Sequence, residues 1–476
     1  MIGSTIATLG LLSMSTPAKS VELTIYNGGF ALVKEQRSIN LSSGVQNVAI
    51  EDVAQMIEAN SVSVRNVSGS PFSVLEQNYQ YDLISPMAIL NKAVGSKVTF
   101  TQFAADGTPR RITGTLLSAP TAMVSSPDGQ STPTWNGLVI RSDSGEIILN
   151  PTGQIEVASL PEGLISKPTL VWLIEAMQAG QRQIELSYLT QGMGWKVDYV
   201  LNLEKDGKGG GFRGWVTLTN NSGATYSDAK LKLLAGEVNR VQPPGRPTAM
   251  IMEAAGSARS KGFEQEQFAD YHLYTLGRPA TVRNREMKQV SLLEAEKVPV
   301  TKKLVVDSAA TFGMYQPSEG QVGVGPVSAL VQVLITNNKE SQLGMPLPMG
   351  TIKVFQRDST GSLQLLGEDS IQHTPREETV TLNLGRAFDV VAERKRLSFQ
   401  WLGTSRRGAR EVIEVEVRNR KDTQEQVTIL ERLWGDFSIS GNSQEFTKLD
   451  ANTIQFLVTL KPNETKKVTF TVETRW

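Results

Sequence analysis

From Val21 onward, apolar and polar side chains alternate almost one by one through most of the chain. That is the period of a pleated strand with one face turned inward. The stretch VELTIYNGGFALVKEQRSINL reads as two strands around Asn27-Gly28-Gly29, a strong hairpin signal. Residues 45–50 and 62–67 continue the pattern, and residues 53–60 between them fit two helical turns. SPMAILNKAV predicts a short helix with Ser85 as N-cap and Pro86 at its first position. Over residues 95–166 the strands become short and closely spaced. They fall at residues 97–103, 110–117, 137–141, 146–149 and 155–158, separated by Asp106-Gly107, Asp128-Gly129, Ser144-Gly145 and Pro151-Thr152-Gly153. This spacing suggests a small barrel of the SH3 or OB kind, with an elaborated meander as the alternative.

Lys167 and Pro168 mark a boundary. LVWLIEAMQAGQRQIELSYL reads as strand, turn and strand, broken at Gly180, and more strands follow at residues 194–203, 212–220 and 230–234. Residues 241–262 lack periodicity and are rich in Pro, Gly, Ala and Ser, the composition of a mobile loop. Strands resume at residues 271–276, 288–293, 298–306, 329–337 and 350–357. From residue 385 to the end, RLSFQWL, EVIEVEVRNRK, VTILERL, FSIS, NTIQFLVTL and KKVTFTVETRW alternate in the rhythm of an immunoglobulin-like sandwich. The expected fold is therefore mainly β. It comprises an N-terminal β domain (19–94), a small SH3/OB-like barrel (95–166), a central β-sandwich (167–384) with the loop 241–262, and a C-terminal immunoglobulin-like β-sandwich (385–476).

Composition narrows the function. At about 150 residues per domain, 476 residues predict several domains. Hydrophobic residues make up 39% and charged residues 20%, which fits folded cores rather than a disordered chain. Lys+Arg and Asp+Glu are both 48, so no overall field draws the surface to nucleic acid or anionic lipid. The absence of cysteine removes disulfides, thiolate nucleophiles and thiolate-metal sites. The opening MIGSTIATLGLLSMSTPAKS carries a short apolar stretch, with small residues at Thr16 and Ala18 placed for cleavage after Ala18. It lacks a basic start. Residues 1–18 are read as a signal peptide, and the protein as exported to the periplasm or cell surface. No later apolar run reaches the roughly 18 residues a membrane helix needs.

One group of segments carries a family resemblance. LSYLTQGMGWKVDYVL and GWVTLTNNSGATYSDAKLKLLAGEVNRV are followed in order by DYHLYTL, KQVSLLEAEKVPV, EFTKLDANTIQFLVTL and the terminal TVETRW. Over residues 183–476 the chain resembles a bacterial domain-of-unknown-function family. That domain also forms the C-terminal part of mucoidy-inhibitor-like proteins. The N-terminal half resembles the companion segment of the shorter members and lacks their relatives' long helical insertion. The resemblance implies an envelope-associated, β-rich protein and assigns no catalytic residues. Read physically, Gly192, Gly194 and Gly214 beside Trp195 and Trp215 permit bulges or close backbone approach, with an indole covering the gap.

Catalytic motifs are sparse. G-x-S-x-G, Walker, H-E-x-x-H, EF-hand and zinc-knuckle patterns do not occur. Ser227-Asp228-Ala229-Lys230 matches S-x-x-K, but it leads into a strand where the serine–lysine chemistry needs a helical turn. Asp270, His272 and Tyr274 share one face of a strand and form the candidate binding trio; such a trio either binds a metal or relays a proton, or it is a hydrogen-bonded cluster flanking a core strand. His373, near Glu377 and Glu378, reads as solvated. Arg394-Lys395-Arg396, Arg406, Arg407, Arg410, Arg418, Arg420 and Lys421 interleave with acids, which predicts a paired, solvated sheet face. No aromatic stacking platform accompanies them, so nucleic acid is not an expected partner. The seven tryptophans look scattered along the chain. The expected function is a non-catalytic interaction or structural module of the bacterial cell envelope. No cofactor or metal is expected, and the expected partner is an envelope protein or glycan. A paired-carboxylate hydrolase of envelope polymer and a carbohydrate-binding protein are the rival readings.

Overall fold

The computed structural model describes residues 13–14, 20–103, 108–118, 120–125, 131–135, 137–236, 238–240 and 263–476. The fold is mainly β, in several separate sheets. The expected leader, apart from Ser13–Met14, and the expected loop at 241–262 lie outside the described residues.

The Asn27-Gly28-Gly29 turn joins Ser20–Tyr26 to Phe30–Leu41, as the alternation predicts. These strands sit inside an eight-stranded sheet. Phe30–Leu41 pairs with Gly180–Gln191, and Ser20–Tyr26 runs parallel to Tyr226–Ala235. A five-stranded sheet runs from Glu286–Pro299 through Gly209–Asn220, Met193–Leu203 and Gly350–Arg357 to Leu363–Ile371. A four-stranded sheet places Gly44–Glu51 and Phe72–Gln80 on either side of Thr169–Ala176, with Ser13–Met14 on the outer side of Gly44–Glu51. Leu23, Ile25, Trp172, Tyr188, Tyr199, Phe212 and Leu231 belong to one core shared by all three sheets. The sequence separates residues 19–94 from 167–384, whereas the hydrogen bonds join them into one body. Strand pairing between distant segments has no local signature, so the alternation could not reveal it.

The short-stranded region is an insertion. Phe72–Gln80 and Thr169–Ala176 are hydrogen-bonded neighbours, and the chain between them makes its own five-stranded sheet. Its strands are Lys97–Phe103, Pro109–Leu116, Val139–Ser142, Ile147–Leu149 and Gln154–Val157, and its small core includes Val98, Phe100, Leu116 and Ile140. Ile147–Leu149 and Gln154–Val157 form its two edges. The helix Pro86–Lys92 leads in, with the Ser85 hydroxyl accepting from the Ala88 N–H at 3.0 Å. The helical turns expected at 53–60 reduce to a 3-10 turn, Ala59–Ser61. There the Met56 and Glu58 amides donate to the Ser222 and Leu189 carbonyls instead of to a helix.

The C-terminal body begins earlier than residue 385. Its nine-stranded sheet includes Thr301–Asp307 and Gly325–Thr336 as well as the strands after residue 385. Phe456 and Phe470 lie six places apart in the strand order, yet their ring centroids are 5.2 Å apart. The sheet is therefore folded over its own core, which contains Ile413, Ile429, Phe456 and Phe470. Two strands cross between the bodies. Gly325–Thr336 and the 23-residue strand Thr379–Trp401 place Val333, Ile335, Val380 and Leu382 in the first core. The same two strands place Val327, Ala329, Val390 and Ala392 in the second.

Candidate functional site: the turn cluster around Trp195

Four turns interlock at one end of the first body. The Gly192 N–H donates to the Gly29 carbonyl at 3.1 Å, and the Asn221 N–H donates to the Gly192 carbonyl at 2.7 Å. The Gln191 N–H donates to the Met56 carbonyl, and the Met56 N–H to the Ser222 carbonyl, both at 3.0 Å. Gly192 is required here. Its φ is +79°, and a Cβ would stand 2.7 Å from the Met56 Sδ and 3.0 Å from the Asn221 carbonyl oxygen. Asn220 braces the cluster from within, its Nδ2 donating to the Ala224 and Val282 carbonyls and its Oδ1 accepting from the Ser222 hydroxyl.

Trp195 follows directly on this cluster and is 6% exposed. Its ring meets Tyr274 edge to face at 6.4 Å. Its carbonyl accepts from Asn27 Nδ2 at 3.3 Å. Two polar atoms are left over. The Trp195 indole N–H and the Asn27 Oδ1 are both buried and have no hydrogen-bond partner among the described residues. An unmet buried donor or acceptor costs about 1–3 kcal/mol, so such atoms are uncommon without a reason.

Charge at this end is balanced. The Arg240 guanidinium lies 2.6 Å from Glu58 and 4.4 Å from the centre of the Phe30 ring. Phe30 stacks on Tyr26 at 4.3 Å. Gln191 also donates to the Glu58 carboxylate. The Trp195 indole lacks an acceptor and the Asn27 amide oxygen lacks a donor, and neither calls for a charged partner.

The sequence-derived trio is only partly drawn to this place. The strand is Tyr271–Leu276, so Asp270 stands exposed in the turn before it, after Ala269 at φ +52°. His272 is half-buried, and its Nδ1 faces Gln265 Nε2 at 2.9 Å. Burial, with Arg376 nearby, holds its pKa below the usual histidine value. Tyr274 is buried, touches Trp195, and donates its hydroxyl to the Pro346 carbonyl at 3.0 Å. Its hydrogen bond and those of His272 go to other residues, not to one another. Asn27 and Trp195 were visible as a turn residue and a cover for glycines. Their unmet polar atoms, and the arrival of Arg240 and Glu58, come from contacts distant in sequence.

The acids that come together elsewhere are engaged. Asp307 lies close enough to Glu431 to help raise its pKa, after the larger effect of burial. Both Glu431 oxygens accept from Arg394 Nε, at 3.2 and 3.0 Å. Asp307 Oδ1 caps the helix Ser308–Phe312 through the Ala309 and Ala310 amides, and its Oδ2 meets Arg432 at 3.0 Å. Glu35 is likewise held, by Arg37 Nε at 2.7 Å and the Tyr188 hydroxyl at 2.9 Å. Among the described residues no group of three or more His, Asp or Glu side chains is placed to hold a metal ion. No helix among the described residues is long and apolar enough to cross a membrane.

The basic stretch departs from the solvated face read from the sequence. Lys395 does lie outward between Glu393 and Glu416. Arg394 and Arg396 instead turn inward, with side chains 2% and 4% exposed. The first pairs with Glu431 and the second with Glu411 at 3.0 Å. Between them they also hold the carbonyls of Gly323, Ser318 and Glu319.

Compared with known proteins, the chain matches no family profile and no curated sequence.

Proposed function

We propose that the protein is an exported, non-catalytic binding module of the bacterial cell envelope, and that the turn cluster around Trp195 holds a neutral polar group of its ligand. One observation carries this reading: a buried indole donor and a buried amide acceptor, Trp195 Nε1 and Asn27 Oδ1, stand unmet beside four interlocked turns. Rigid sheets with a turn cluster at one end are a common way to present a binding site. A sugar hydroxyl both donates and accepts, and a peptide unit carries one donor and one acceptor, so either class of ligand offers what these atoms lack. The family resemblance of residues 183–476 and the secretion-like leader motivate the envelope as the place.

Titration calorimetry with a soluble muropeptide digest of bacterial cell wall tests it, since the digest presents hydroxyls and amides together. The wild-type protein gives a saturable heat. Trp195→Phe keeps an aromatic ring, smaller than the indole, and removes the donor, and it weakens binding by about tenfold, the worth of one well-placed hydrogen bond. No heat with the wild type, or equal affinity in the variant, sinks the proposal.

A further inference from the structure

Two of the seven tryptophans, Trp401 and Trp476, meet at one end of the C-terminal body, and a third, Trp434, precedes the strand that pairs beside them. Trp401 ends the long strand Thr379–Trp401, and its ring meets Trp476 at 6.2 Å and Phe399 at 5.0 Å. The Trp476 N–H donates to the Arg407 carbonyl at 3.1 Å, which ties the last residue to the turn after Trp401. Trp434 arrives from a third segment. It lies two residues before Asp436, whose backbone stands opposite that of Arg475 in the sheet, and a Cβ on the intervening Gly435 would stand 2.5 Å from the Arg475 carbonyl. Trp434 and Trp476 are 37% and 36% exposed, high for the most costly side chain to leave in water.

Arginines rim these rings. The Arg406 guanidinium lies 5.6 Å from the centre of Trp401 and 3.9 Å from Glu319. Arg410 is taken by Glu473 at 2.7 Å. Arg407 and Arg475 are exposed and form no ion pair among the described residues. The rings do not make a platform for stacking sugars. They meet at 65° and 85°, Arg406 covers a face of Trp401, and the Trp401 N–H is already donated to Glu319 at 2.6 Å. Amphipathic indoles beside unpaired guanidinium groups suit a bilayer interface, where the ring body enters the acyl boundary and the cation meets phosphate.

We infer that this tryptophan–arginine tip is a docking surface for an anionic phospholipid membrane, binding at the interface without spanning it. The surface is separate from the turn cluster around Trp195, so either reading can fail without the other.

Vesicle sedimentation tests it, comparing pure phosphatidylcholine with vesicles holding about 30% phosphatidylglycerol. The wild-type chain sediments with the anionic vesicles, and brominated lipid quenches its tryptophan emission. The paired substitution Arg407→Glu and Arg475→Glu changes only exposed side chains, and an unchanged thermal melt shows that it folds. It weakens vesicle binding about tenfold or more, and high salt weakens the wild type in the same direction. The inference is overturned if the wild type stays in solution, if the variant sediments equally well, or if brominated lipid leaves the emission unchanged. It is also overturned if the chain binds soluble dextran sulfate but not vesicles, which marks a general anion patch.

Discussion

Arg394 and Glu431 show how much a single residue can carry. Both side chains are almost fully buried, and burial pushes the Glu431 carboxyl up while the guanidinium holds it down. Replacing one partner strands a buried charge, so Arg394→Met is expected to cost about 3–5 kcal/mol in urea unfolding. The double variant Arg394→Met with Glu431→Leu recovers much of that loss, because two well-packed apolar groups need no partner. A single variant as stable as the wild type would show that the pair contributes nothing. The inward direction of Arg394 was legible in principle. Val390 and Ala392, at the same alternate positions of the strand, are core residues, so the next residue in step is Arg394. The charge of Arg394 argues for solvent and its place in the strand for the core, and the place in the strand prevails. His272 gives a pH signature. Its proton is bound more weakly in the folded chain than the ordinary value near 6.5. Below that value the unfolded chain takes up more protons, so stability rises with pH through this range and levels off above it. His272→Gln should flatten the melting midpoint between about pH 5 and pH 7.5. An unchanged slope contradicts the shift.

At the scale of elements, local chemistry was readable where it was self-sufficient. The Asn27-Gly28-Gly29 hairpin, the Ser85-capped helix and the strands Thr169–Ala176 and Gly180–Gln191 each carry their own instructions in turn residues, caps and alternation. The segment 53–60 follows Asp52, a residue able to cap, but Asp52 takes φ +61° and the Met56 and Glu58 amides go to Ser222 and Leu189 on neighbouring chain segments. Gly192 is an element boundary of a stricter kind, being both left-handed and crowded by Met56 and Asn221. Gly192→Ala is therefore expected to cost at least about 1–2 kcal/mol for the backbone alone, more once Met56 is displaced. Chemical denaturation measures it, and a cost near zero means that the four turns are not locked together as described.

For the whole molecule, the alternation announced a β protein but not which strands would meet. The inserted sheet was local, its strands being close in sequence and pairing among themselves. The first body was not, because residues 20–41 join partners from residues 180–235. The crossing strands Gly325–Thr336 and Thr379–Trp401 blurred the last boundary, since each serves two cores. The turn cluster is a product of that interleaving: Asn27, Glu58, Trp195 and Arg240 reach one place only after distant strands have paired. This makes the indole N–H of Trp195 the most direct reporter of the proposed function. Its nitrogen–proton resonance can be assigned by its disappearance in Trp195→Phe and followed as muropeptide digest is added. A shift of that one resonance, lost when Asn27→Ala removes the amide oxygen, is the predicted result. A Trp195 resonance that stays fixed while the protein demonstrably binds the digest elsewhere would contradict it.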